Sequence, residues 1–203
     1  GCALPDQLRA MKIHVLIALG GILLAGSAFS QEPMGDRAAG QKVAGICRTC
    51  HGMEGKARIP IAPMIGGEPA AYIASQLKAF RSGARTHEMM SVVAASLSDT
   101  QIADVAAWYA GHEVTAILKS DPAKAPELCV GCHGADGLHQ IPEAPNLAGE
   151  NSVYIETQIK AFRLGKRHND IMGPIAEELD DAAMQQAADW YAAIEIAIKL
   201  VPP

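Results

Sequence analysis

A stretch of 65 residues returns without a gap 82 positions further along the chain. Cys47-Arg48-Thr49-Cys50-His51-Gly52 comes back as Cys129-Val130-Gly131-Cys132-His133-Gly134, and 28 of the 65 positions in 47–111 match those in 129–193. Identical pairs include Pro63/Pro145, Gly67-Glu68/Gly149-Glu150, Tyr72/Tyr154, Gln76/Gln158, Arg85/Arg167, Met90/Met172 and Trp108-Tyr109/Trp190-Tyr191. A match of that density means two copies of one folding unit. The expected division is 1–30 as upstream residues plus a signal segment, 31–112 as a first domain, 113–124 as a linker, and 125–203 as a second domain. Each domain is then roughly 80 residues, a size at which an apolar core alone is marginal.

Each copy predicts three helices around a long loop. A short helix is expected from Asp36 into Cys47. Arg58 to Gly67 holds two prolines and two glycines, so it is read as loop. Ile73, Leu77 and Phe80 lie on one helical face that Gly83 would end, and Ile155, Ile159 and Phe162 repeat it. Ser98 with Gln101 three residues later has the capping-box pattern. Ile102, Val105 and Tyr109 form the next buried stripe, and Asp180 replaces Ser98 as the cap in the second copy. No alternating strand pattern of useful length stands out, so the fold class is all-α.

Exclusions come from charge and from the N-terminal segment. The net charge of −5 argues against nucleic acid as a partner, because phosphate binding needs a basic surface. From Met11 a charged start, an apolar run over 15–25 and Ser27-Ala28-Phe29-Ser30 read as a signal peptide cleaved after Ser30. A retained anchor is the rival, although the 15-residue stretch from Val15 to Phe29 falls short of the ~20 that span a bilayer. The expected compartment is the periplasm, with contact to the membrane surface at most peripheral. Residues 31–115 carry eight basic and eight acidic side chains, and residues 116–203 carry seven and thirteen. Either this asymmetry steers two different partners or it is a solvated acidic face.

The motif itself carries the chemistry. Cys-x-x-Cys-His is the attachment signature of c-type haem, with two thiols for the vinyl groups and the adjacent imidazole for iron. The expected cofactors are two covalently bound haem c groups, attached at Cys47, Cys50, Cys129 and Cys132, with His51 and His133 as metal ligands. A zinc site would need further Cys or His at paired spacing, and a thioredoxin-like site a βαβ context. Neither pattern is present. Met53, Met64, Met89 and Met90 are the sixth-ligand candidates in the first copy, and Met172 and Met184 in the second. Only Met90 and Met172 are equivalent under the 82-residue shift, so they are the expected ligands, in a loop between helices, with Met89 as the rival. Met184 pairs with Ile102, a core position. His87, His112, His139 and His168 are expected to face solvent. An iron with both axial positions filled has a raised potential and no open coordination site. That implies electron transfer rather than catalysis. The chain is also poor in aromatics, with two Trp, four Tyr and three Phe. Two porphyrins would supply the missing core volume.

These residues resemble a known family. Each copy is similar to a class I cytochrome c domain, and the tandem resembles the dihaem cytochromes of the c-four type. The marks are the two CxxCHG motifs, the Ala-Pro-x-x-x-Gly loops at 62–67 and 144–149, and the Tyr-x-x-x-Gln-x-Lys-Ala-Phe-Arg helices. By that resemblance Pro63 and Pro145 offer backbone carbonyls to His51 and His133. It also implies a quinol-oxidising complex as donor, a terminal oxidase as acceptor, and two domains packed face to face. The alternative it leaves open is a dihaem subunit of a periplasmic dehydrogenase such as a sulfide-oxidising flavocytochrome. The apolar tail 194–201 would then be an exposed patch, or else the end of the last helix. A dihaem peroxidase is disfavoured, because both copies carry a matching Met.

Overall fold

The computed structural model describes residues 35–203, so the signal segment expected over 1–30 lies outside the described residues. The first half runs through α1 (Arg37–Val43), a 3-10 turn, α2 (Arg48–His51), α3 (Ala70–Ser82), α4 (Glu88–Ala95) and α5 (Asp99–Ala110). β1 (Glu113–Ile117) follows. The second half holds α6 (Glu127–His133), α7 (Ser152–Arg163), α8 (Met172–Glu178) and α9 (Asp181–Ala192), and β2 (Glu195–Lys199) closes the chain. Among the described residues the architecture is all-α apart from one two-stranded ribbon. Among the described residues no helix is long and apolar enough to cross a membrane.

The local signals act where the sequence places them. Asp36 caps α1 by accepting from the Ala38 and Ala39 N–H groups, satisfying donors that a helix start leaves unpaired. Both arms of the Ser98/Gln101 capping box are formed, and Asp180 caps α9. Gly83 ends α3 at φ +82, a left-handed conformation that glycine adopts at little steric cost. The stripe of α5 is buried as expected, with Ile102, Val105 and Tyr109 at 0–1% exposure, and Trp108 beside it is equally buried. Met184 is also 0% exposed, so it is a core residue like its equivalent Ile102. Each such side chain contributes roughly 1.5–3 kcal/mol by leaving water.

Three expectations need correction. Each half has a short helix that was not expected, α4 in the first and α8 in the second, and it carries the methionine that was placed in a loop. Met90 lies in the first turn of α4 and Met172 opens α8. Local caps start both helices: His87 Nδ1 accepts from the Met89 and Met90 N–H groups, and Asn169 Oδ1 from those of Ile171 and Met172. These caps occupy equivalent positions, 87 and 169.

The second correction concerns the linker and tail. Glu195–Lys199 is neither a free apolar patch nor a helix end. It pairs antiparallel with Glu113–Ile117, in a register from Glu113↔Lys199 to Ile117↔Glu195. The two strands are themselves 82 residues apart, so the repeat extends through them. Their half-buried faces, Val114 with Ala116 and Ile196 with Ile198, turn towards the glycine loops. A Cβ on Gly67 would stand 1.9 Å from Val114 Cγ2, and one on Gly149 would stand 2.5 Å from Ile196 Cγ2. Both glycines also have positive φ, 72° and 68°.

The third correction is that His112 and His139 do not face solvent. His112 is 5% exposed, packs edge-on against Trp108, and bonds Met53 O at 3.2 Å. Its Nδ1 accepts from the Val201 N–H at 3.2 Å, which pins the tail to the first half. His139 is half-buried, and its ring nitrogen Nδ1 lies 2.9 Å from Asn146 Oδ1. His87 and His168 are exposed as expected.

Candidate haem sites and the interface between them

Each CxxCH motif folds as one helical turn, α2 in the first half and the end of α6 in the second. The spacing i, i+3 puts both thiols on one face of that turn. The four cysteines of the two motifs are free and half-buried. Burial pushes the Cys47 and Cys129 thiols up to about 11, so they remain protonated until they react. The glycine after each histidine ends the turn at positive φ, 73° at Gly52 and 70° at Gly134.

The histidines are built alike in the two halves. His51 and His133 are each 7% exposed. His51 Nδ1 donates to Pro63 O at 2.8 Å, and His133 Nδ1 to Pro145 O at 2.8 Å. A ring whose Nδ1–H is committed in this way has Nε2 as its lone-pair nitrogen. Burial lowers the pKa of both rings, partly opposed by the bond to the proline carbonyl. A neutral imidazole with a fixed tautomer is the form that binds a metal.

The surroundings repeat with the same fidelity. Trp108 Nε1 donates to Met53 O at 3.0 Å and Trp190 Nε1 to Ala135 O at 2.9 Å. Tyr109 and Tyr191 hydroxyls donate to the Gly52 and Gly134 carbonyls, each at 3.0 Å. These bonds tie the last helix of each half to the turn that carries the motif. Met90 packs against the first core and Met172 against the second, both half-buried. Met89 is 59% exposed. Among the described residues no cluster of three or more His, Cys, Asp or Glu could hold a metal ion. The donor set is therefore one imidazole beside two thiols, with a thioether packed on the same core. That set fits a covalently held porphyrin iron and does not fit zinc.

The halves meet through equivalent residues that cross over. Arg85 donates to Gln158 Oε1 at 2.7 Å and Tyr154 Oη at 3.3 Å in the other half, and to Gln76 Oε1 at 2.7 Å in its own. Arg167 mirrors it, reaching Gln76 Oε1 at 2.8 Å, Tyr72 Oη at 3.0 Å and Gln158 Oε1 at 2.9 Å. Each guanidinium lies 4.5 Å from the ring centre of its own phenylalanine, Phe80 or Phe162. The backbones of Arg85 and Arg167 form a bridge. A patch that contacts its own copy is the isologous arrangement of a two-fold dimer, here within one chain. Sequence reasoning named Arg85, Arg167, Gln76, Gln158 and the two tyrosines as repeats but assigned them no contacts. Their identity in both copies was the available signal.

Tandem CxxCH turns, two imidazoles held by proline carbonyls and a self-complementary interface define a dihaem c-type cytochrome. No protein-family model matches the chain. Cytochrome c4 of Pseudomonas aeruginosa is 30% identical over 194 residues, covering 86% of this chain and 93% of that one. The thiosulfate dehydrogenase electron acceptor of Stutzerimonas stutzeri is 34% identical over 168 residues, covering 72% and 77%. The crystal structure of reduced cytochrome c4 from Pseudomonas stutzeri superposes with a TM-score of 0.70 at 26% identity, covering 79% of this chain and all of that one. The chain belongs to the cytochrome c4 family. It is an electron-transfer protein with two covalently bound haem c groups, and its partners are redox proteins.

Proposed function

We propose that the chain is a periplasmic shuttle with two iron sites, His51 with Met90 and His133 with Met172. In this reading Cys47 and Cys50 anchor one haem, Cys129 and Cys132 the other, and Pro63 and Pro145 orient the two imidazoles. The domains are 31–112 and 125–203, joined through 113–124. Each bound haem supplies a one-electron couple. The protein's part would be to hold each iron through its histidine and methionine, His51 with Met90 and His133 with Met172, to leave no room for other ligands, and to keep the two sites in fixed relation. The observation that carries the reading is the duplicated 2.8 Å bond from imidazole to proline carbonyl. The exposure of Met89 beside a packed Met90 supports Met90 as the first thioether ligand.

The family supports export to the periplasm, with a quinol-oxidising complex as donor and a terminal oxidase as acceptor. A second reading has a specific observation in its favour. The similarity to a thiosulfate dehydrogenase electron acceptor supports a sulfur-compound dehydrogenase as donor, with this chain as its redox partner or subunit. Reduction rates with each donor class separate the two readings. Optical spectra through a redox titration test the ligands. The oxidised protein is expected to show the thioether-to-iron band at the red edge for both haems. Met90→Ala is expected to abolish it for one haem, while Met89→Ala leaves both. Survival of the band in Met90→Ala overturns the first assignment.

A further inference from the structure

The peptide unit between Pro63 and Met64 is bonded at both ends. Its carbonyl accepts from His51 Nδ1 at 2.8 Å. Its N–H donates to Glu150 Oε1, from the other half, at 2.5 Å. The peptide between Pro145 and Asn146 is bonded in the same way. Its carbonyl accepts from His133 Nδ1 at 2.8 Å, and its N–H donates to Glu68 Oε2 at 2.9 Å. Glu68 and Glu150 are equivalent under the repeat, and each is 4% exposed. Each half thus sends a buried carboxyl across the interface to the peptide that supports the other half's histidine.

A peptide is conjugated through its C–N bond, so a charge that draws on the N–H loads the carbonyl oxygen. Hydrogen bonds in such a chain strengthen one another, and a bond to a carboxylate is roughly twice as strong as a neutral one. A carbonyl loaded in this way pulls harder on Nδ1–H and makes Nε2 a stronger donor to a metal. A stronger imidazole donor favours the oxidised iron. We propose that Glu150 and Glu68 are positioning residues that act crosswise, Glu150 setting the potential of the site on His51 and Glu68 that of the site on His133. This rests on the reading of His51 and His133 as axial ligands.

The electrostatic setting makes the relay responsive to pH. Burial holds the Glu68 carboxyl well above its ordinary range, opposed by the Asn146 N–H and reinforced to a lesser degree by the nearby Glu150. Burial likewise raises Glu150 to about 8, opposed by the N–H groups of Met64 and Asn151. Glu150 is faced by Glu68 from the opposite loop. It is also faced by Tyr154 on α7, which has Arg85, Arg167 and Tyr72 around its hydroxyl. Arg58 lines the same groove of about 470 Å³ between the halves. The Glu150 carboxylate therefore appears as the pH rises through about 8, and Glu68 also keeps its proton well above the ordinary carboxyl range.

Two measurements on the intact holoprotein test the proposal. In the reduced state, the Met64 amide resonance is expected to titrate with Glu150, and Asn146 with Glu68. Glu150→Gln should silence Met64 alone, and Glu68→Gln should silence Asn146 alone. The second measurement is a redox titration that follows each haem by its shifted NMR signals, assigned with Met90→Ala. Above the Glu150 titration, Glu150→Gln is expected to raise the potential of the haem on His51. The scale is about tenfold in its reduction equilibrium, or ~59 mV for one electron. The haem on His133 should move much less, and Glu68→Gln should reverse the pattern. Below the titration, Glu150→Gln and the parent protein should converge. Equal shifts at both haems, a shift in the same-half haem, no shift, or a Met64 amide blind to Glu150 would each overturn the proposal. The optical band of Met90→Ala reports on the ligand reading independently, so the two failures are distinguishable.

Discussion

The paired arginines make a quantitative prediction about how the halves are held together. Gln76 Oε1 and Gln158 Oε1 each accept from both guanidiniums, at 2.7 to 2.9 Å. In Arg85→Ala both glutamines keep Arg167 as a partner. The direct losses are the Tyr154 contact and the stack on Phe80, the latter worth about 0.5–1 kcal/mol. The removed bonds are offset by relief of the repulsion between two neighbouring cations. Each single variant should therefore cost only about 1–2 kcal/mol. The double variant Arg85→Ala/Arg167→Ala strips both glutamine oxygens of their partners. An acceptor left unmade costs about 1–3 kcal/mol when fully buried, and less at these half-buried sites. Relief of repulsion enters both single variants but occurs only once, which adds to the shortfall with the same sign. The double variant should thus exceed the sum of the singles by about 1–2 kcal/mol. Guanidinium chloride unfolding of the holoprotein, followed by far-UV circular dichroism, measures it. Additivity to within about 0.5 kcal/mol would falsify the shared-acceptor account.

Three further outcomes are expected. Tyr109→Phe and Tyr191→Phe each remove a hydroxyl bond to a buried glycine carbonyl, so each should lose about 1–2 kcal/mol, with the loss at Tyr191 slightly the smaller because Gly134 O keeps the Gly137 N–H at 3.4 Å. A large difference in denaturant midpoint shifts would contradict the equivalence of the halves. Glu150 binds its proton more tightly folded than unfolded, so its contribution is complete below 4.5 and is lost as pH rises towards about 8. The loss is on the order of 5 kcal/mol for one buried group. Glu150→Gln should flatten that slope, and an unchanged slope in denaturant titrations across the window would refute it. Cys47→Ala/Cys50→Ala, which cannot anchor the first haem, should leave the first half without a stable core. Native-like hydrogen-exchange protection over 35–110 in that variant would show that the polypeptide core suffices.

How much was legible depended on how local each cause is. The capping box at Ser98, the stop at Gly83 and the stripe Ile102, Val105, Tyr109 are set within one or two turns. Their residues therefore announce them. The short helices α4 and α8 were hidden because His87 is an unusual cap and each helix is only two turns long. The ribbon was hidden for a different reason. Neither five-residue strand is stable alone, and each exists because the other lies beside it across the repeat. His112 looked like a surface histidine, yet it is enclosed by Trp108 and by a tail that returns from 89 residues away.

The aromatic shortage separates the two levels. From the sequence alone came the duplicated unit, the thiols and histidines at i, i+3 and i+4, and a single Met pair related by the shift of 82. These are short-range or repeated patterns, and a linear string displays them. It also displayed four aromatics per copy at matching offsets. What each of them does was settled only in three dimensions. Trp108 is fully buried while Trp190 is half-buried, because α1 covers α5 and has no counterpart over α9. Tyr72 and Tyr154 serve the interface rather than either core. The crossing of Glu68 and Glu150 to opposite peptides likewise depends on docking two surfaces. Docking brings together residues about 80 positions apart, and no local rule of the chain encodes which of them will touch.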